Sequence, residues 1–287
     1  MTSGFGHIQH PYKRLSSTGT NPAIYLFFSL QHSASNPHTS LLFSDYDIDI
    51  SLSAISSNTA ITRSCFPVPF SPGEAYFFHG TKYARVKFTP GSSTEEITYG
   101  PASVPHEWKT LVQAGFDTID AALPVPGQPN QVYFFSGTKY VKIQFTPSSA
   151  DEKIVFGPRH IADKWKTLAQ AGFATVDAVL PVPGHADQAY FFSGNEYAKI
   201  QFTPGSAEEE LLYGPRKIWD EWKTLAQAGF STVDAILPVP GHENDQAYFF
   251  SGSQYCRIKF TPSSPNEEIT YGPASVPGNW KSLTWGW

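Results

Sequence analysis

Residues 187–205 read DQAYFFSGNEYAKIQFTPG, and the phrase returns three more times in altered spelling. Aligned on the first tyrosine of YFF, the copies stand at Tyr76, Tyr133, Tyr190 and Tyr248, with spacings of 57, 57 and 58 residues. Similarity at a fixed period marks a repeat architecture, in which one unit cannot bury its apolar surface alone. The extra residue of the last interval falls in GHENDQ, Gly241 to Gln246, where a surface loop absorbs it at small entropic cost.

One unit can be read strand by strand. TVDAVLPVPG, Thr175 to Gly184, is a short apolar stretch ended by prolines, and AYFFSG is a second strand closed by Gly194. In EYAKIQFTPG the apolar Ala198, Ile200 and Phe202 alternate with Tyr197, Lys199 and Gln201, the period-2 pattern of a strand with one buried face. ELLYGP reads as a fourth, edge-like strand stopped by Gly214-Pro215. The period then changes: Ile218, Trp222 and Leu225 lie at i, i+4 and i+7, one face of a helix, with Gly229 where a C-terminal cap belongs. The triplet recurs as Val104/Trp108/Leu111, Ile161/Trp165/Leu168 and Val276/Trp280/Leu283. Four such units arranged radially bury both faces of every sheet, which predicts an all-β four-bladed propeller with a short helix ending each blade. The blades are expected at about 63–115, 116–172, 173–229 and 230–287.

Residues 1–62 stand outside the pattern. They contain no Glu and no Trp, and they read as a disordered extension, although IYLFFS at Tyr25 imitates one line of a repeat. The chain carries a formal net charge of −5 and no long basic run, which argues against a nucleic-acid partner. AIYLFFSL, Ala23 to Leu30, is too short and too late for a clear signal peptide, and no segment is long enough to span a membrane. A cytoplasmic location is favoured over secretion; the oligomeric state, a homodimer included, stays open.

The phrases DAAL, VYFFSGTKYVKIQFTP, ITYGP and DEWKTL resemble hemopexin repeats, in particular those of the plant seed albumin-2 group and of related fungal and bacterial proteins. The likeness covers roughly residues 63–287 and implies a four-bladed propeller whose innermost strands line a central channel. Family members commonly hold calcium, sodium or chloride there, the cations largely on main-chain carbonyls near the starts of the innermost strand and the next one. Carried over by position, the first ring is Asp120, Asp177 and Asp234, and the second is Ala75, Val132, Ala189 and Ala247. Blade one departs from the pattern, with Arg63 at the aspartate position. Arg63 either projects its charge toward the ring or lies aside at the start of the blade. The resemblance also implies polyamine or haem as ligands, or a protein partner, and a module that binds and does not catalyse.

Residues copied into every unit are read as structural, because a catalytic constellation needs different groups in different roles. The exception is a residue on the symmetry axis. Three carboxylates converging there repel each other unless they are hydrated, turned aside onto main-chain N–H groups, or bridged by a cation. His185 and His242, in equivalent loops, are the candidates for haem or metal. The acidic pairs Glu95/Glu96, Asp151/Glu152 and Glu267/Glu268, with the run AEEELL, read as solvated turns. Cys65 and Cys256 stand at small inward positions and read as buried thiols, with a bond between them as the alternative. TWGW at the C-terminus either seals blade four against blade one or offers an aromatic contact. A lectin-like protein binding sugars through side loops such as GHADQ and GHENDQ is the alternative function, and storage without a specific ligand is a third.

Overall fold

The computed structural model describes residues 62–286. The expectation for residues 1–62 lies outside that range except for Thr62, which is buried. Among the described residues sixteen strands form four antiparallel sheets of four consecutive strands each. The first sheet holds β1 (Ser64–Pro67), β2 (Glu74–His79), β3 (Lys82–Phe88) and β4 (Glu95–Ser103). The second holds β5 (Ala121–Val125), β6 (Gln128–Ser136), β7 (Lys139–Phe145) and β8 (Glu152–His160). The third holds β9 (Ala178–Pro181), β10 (Gln188–Ser193), β11 (Glu196–Phe202) and β12 (Glu209–Lys217). The fourth holds β13 (Ala235–Pro238), β14 (Gln246–Ser251), β15 (Gln254–Phe260) and β16 (Glu267–Ser275). β1 neighbours β5 and β13, and β9 neighbours the same two strands, so the first strands of the sheets enclose an axis. The described residues form a four-bladed propeller. Among the described residues no helix is long and apolar enough to cross a membrane.

The doubled phenylalanine of YFF explains the packing. Neighbouring residues of a strand point to opposite faces, so Phe77 enters the cluster shared with blade four and Phe78 the cluster shared with blade two. All four apolar clusters join two successive blades in this way. The expectation of one buried face on the third strand is corrected accordingly: Tyr197, on the supposed outer face, is also buried against the next blade.

Two further sequence expectations change. The helix is broken at its tryptophan: α5 (Ile218–Glu221) and α6 (Lys223–Gln227) flank Trp222, whose φ of −89° and ψ of 86° are not helical. The same break separates α1 (Val104–Glu107) from α2 (Lys109–Ala114) and α3 (Ile161–Lys164) from α4 (Lys166–Gln170). In blade four it separates α7 (Val276–Asn279) from a 3-10 turn (Lys281–Gly286). The break turns the indole into the next blade, where Trp165 meets Phe191 and Phe202 at 5.3 Å each. The fourth strand, in turn, does not stop at Gly214-Pro215 but runs through it with a shift of register. Gly214 has a φ of +90°, and a Cβ there would stand 2.7 Å from the Tyr197 carbonyl, so the position requires glycine.

The repeated acids are not all solvated turns. Glu152 of blade two accepts from the N–H and hydroxyl of Thr110 at the start of α2, at 3.0 and 2.9 Å. Glu209 does the same for Lys166 and Thr167, and Glu267 for Thr224. Each carboxylate meets the unpaired N–H groups and positive end of a helix in the preceding blade. Glu95 closes the ring, accepting from the Ser282 N–H and hydroxyl at 3.0 and 2.8 Å. Leu283 and Trp285 pack into the same junction, so the described part of TWGW seals blade four to blade one. Trp287 lies outside the described residues.

Candidate functional site: the axis and the clefts between blades

Arg63, Asp120, Asp177 and Asp234 occupy one equivalent position, immediately before the innermost strand. Their N–H groups donate to the carbonyls of Phe78, Phe135, Phe192 and Phe250 at 2.8–2.9 Å. Each aspartate also turns one oxygen aside: Oδ2 accepts from the N–H of Gly137, Gly194 or Gly252 at 2.6 Å, capping the hairpin between the second and third strands. Arg63 cannot accept such a bond, so blade one lacks this cap. Burial pushes the Asp177 carboxyl above the usual range; the Gly194 N–H and Arg63 act against this, and Asp120 adds to it. Burial likewise raises Asp234, opposed by Gly252 and Arg63 and reinforced by Asp177. All four precede the innermost strands, which enclose the axis, and so stand at one mouth of it. Three carboxylates and one guanidinium leave it a net charge of −2.

The second ring is displaced. Phe88 N–H bonds Gly73 O, Phe202 N–H bonds Asp187 O, and Phe260 N–H bonds Asp245 O. Because paired and unpaired positions alternate in an antiparallel ladder, Ala75, Ala189 and Ala247 are bonded to Val86, Ile200 and Ile258. The register of Val132 with Ile143 is equivalent. Their carbonyls therefore face the third strand, not the axis. The same alternation, set by Val68 N–H to Glu74 O and its counterparts, turns toward the axis the main-chain groups of Cys65, Ala122, Val179 and Ile236. The prolines two residues on lie on that free inner edge, and having no N–H they offer it only carbonyls.

The other candidates are dispersed. His185 and His242 are exposed turn residues of blades three and four. Among the described residues no group of three or more His, Cys, Asp or Glu side chains is gathered as a metal site. Cys65 and Cys256 are free and buried, in different inter-blade clusters, so the alternative of a bond between them falls.

A feature missed in the sequence lies at the rim. Each junction between blades opens into a cleft, of about 340 Å³ between blades one and two, 230 Å³ between two and three, 430 Å³ between three and four, and 530 Å³ between four and one. Tyrosine and the helix-breaking tryptophan form each wall, and Arg85, Lys142, Lys199 or Arg257 stands in it. The recurrence of a cation two residues after Tyr83, Tyr140, Tyr197 and Tyr255 was the available signal.

No family model matches the chain. Albumin-2 from Pisum sativum is 27% identical over 212 residues, covering 73% of this chain and 89% of that protein. The hemopexin fold protein CP4 from cow pea superposes with a TM-score of 0.69 at 27% identity, covering 78% of this chain and 97% of that one. A plant lectin from Cicer arietinum, described as having two metal binding sites, gives a TM-score of 0.68 at 28% identity, covering 77% and 96%.

Proposed function

For this chain, a hemopexin-like propeller similar to the plant albumin-2 proteins, we propose the role of a non-enzymatic binding protein that holds one cation on its axis. The observation that carries the proposal is the net charge of −2 left by Asp120, Asp177, Asp234 and Arg63, with Asp177 and Asp234 raised by burial and by neighbouring aspartates. Such a ring fits one hard divalent ion such as calcium, which takes oxygen ligands. Because the three carboxylates are not themselves gathered as a metal site, the inner-edge carbonyls would supply them and the aspartates the charge; a sodium ion or the ammonium of a polyamine would meet the same charge. The ion would relieve the repulsion and pin the blades together.

A melt of the full chain after chelation, with calcium then returned, tests this. A ligand at 100 times its dissociation constant adds about 2.7 kcal/mol, or about 5–10 °C for a domain of this size. The rise should be saturable and should vanish in Asp120→Asn/Asp177→Asn/Asp234→Asn, since asparagine keeps the hairpin caps and removes the charge. An unmoved midpoint would favour storage without a specific ligand.

A second reading is that the chain also binds glycans, as a lectin. The four clefts favour it, and so does the likeness to the Cicer arietinum lectin.

A further inference from the structure

We propose that the four clefts between blades are carbohydrate sites, each taking one neutral pyranose residue of a glycan. The proposal rests on the glycan reading above and gives it a place and a chemistry. Each cleft has an aromatic wall partly open to solvent: Tyr99 is 44% exposed, Phe156 39%, Tyr213 41% and Tyr271 44%. Each ring leans on a buried tyrosine behind it, at centroid distances of 5.9, 6.1, 6.1 and 5.8 Å in the same order. The backing fixes the ring while its outer side stays wet.

A pyranose has an apolar C–H face and a periphery of hydroxyls. Rigid aromatic side chains suit the first at low entropic cost, and a few placed donors and acceptors suit the second. At the foot of clefts two and three stand Lys142 and Lys199, neither of them ion-paired with a carboxylate among the described residues. Lys142 lies 5.6 Å from the Tyr133 ring, and Lys199 donates to Ser263 Oγ at 2.8 Å. Desolvation lowers the Lys199 pKa, as expected for an ammonium inside an aromatic cleft. Glu107 and Glu221 line the first and third clefts and oppose an anionic ligand, and Glu107 accepts from the Tyr99 hydroxyl at 2.9 Å. In the fourth, Asn279 accepts from the Tyr271 hydroxyl at 2.9 Å and offers an amide in place of the acid. The aromatic wall is constant and the rim residue varies, which suits one ligand class with different preferences. Four outward sites on one ring make the single chain multivalent, so that it can cross-link glycan-bearing surfaces.

The test applies the full-length protein to a printed panel of neutral oligosaccharides, then competes with the free monosaccharide of the best-bound glycan. Wild type should bind, and Tyr99→Ala/Phe156→Ala/Tyr213→Ala/Tyr271→Ala should bind at least about tenfold more weakly. Glu96→Ala, at an exposed residue outside the clefts, should bind as wild type does. If the quadruple variant fails to fold, Tyr213→Ala alone should lower the calorimetric stoichiometry from four to three. A wild-type chain that binds no glycan overturns the reading and the site together. Binding undiminished in the quadruple variant, or a stoichiometry unchanged in Tyr213→Ala, overturns the placement alone.

Discussion

Glu95→Ala removes the carboxylate that ties the first blade to the last, the one junction in the ring with no covalent link between neighbouring blades. Glu95 accepts from the Ser282 N–H and hydroxyl at 3.0 and 2.8 Å, in a setting that is only part-buried. Hydrogen bonds to an ionised group contribute about 1.5–3 kcal/mol each, and discounting for solvent gives about 2–3 kcal/mol for the pair. At about 2–4 °C per kcal/mol for a domain of this size, the midpoint should fall by about 4–12 °C. Thermal unfolding of the full chain, followed by tryptophan fluorescence, reads this directly. Glu96→Ala is the internal control, because Glu96 is the exposed neighbour of the same acidic pair. Equal melting of Glu95→Ala and wild type would refute the reasoning, as would an equal loss in Glu96→Ala.

Three other outcomes follow from the axis and the core. Arg63→Ala removes the positive charge beside the aspartates and should tighten calcium binding by about tenfold or more in titration calorimetry. In the cation-free protein, the raised carboxyls of Asp177 and Asp234 contribute fully to stability below the ordinary aspartate range, and the contribution fades as pH rises through their raised values. Urea unfolding should therefore show Asp177→Asn/Asp234→Asn gaining on wild type as pH rises across that window; a constant difference would count against the repulsion. Burial pushes the Cys256 thiol up to about 12 and the Cys65 thiol higher still. Both should resist a thiol reagent in the native chain and react on unfolding.

Much of the fold was legible because the repeat states its own period. The alternation in EYAKIQFTPG marked a strand, the Trp-centred triplet marked the helix-forming turn, and the fixed spacing gave the number of blades. The missed features depend on which residues meet across a junction. Glu209 looks like part of a solvated run until Thr167, 42 residues earlier in the chain, is seen to donate to it. Tyr197 looks outward until the next blade covers it. The second ring went astray for a subtler reason. Whether a carbonyl faces the axis depends on which pairs of the ladder are bonded, and Ala75 falls on a pair bonded to Val86. No residue type records that choice. The equivalence of Arg63 with the three aspartates was legible from the repeat, and they share one backbone hydrogen bond; the turning of each Asp Oδ2 onto a glycine N–H required the structure.

The most direct measurement is a crystal structure of the full chain grown with calcium, with the ion located by its anomalous signal. One peak on the axis, among Asp120, Asp177 and Asp234 and within coordination distance of carboxylate or inner-edge carbonyl oxygens, is the expected result. An axis without a peak at saturating calcium would contradict the account.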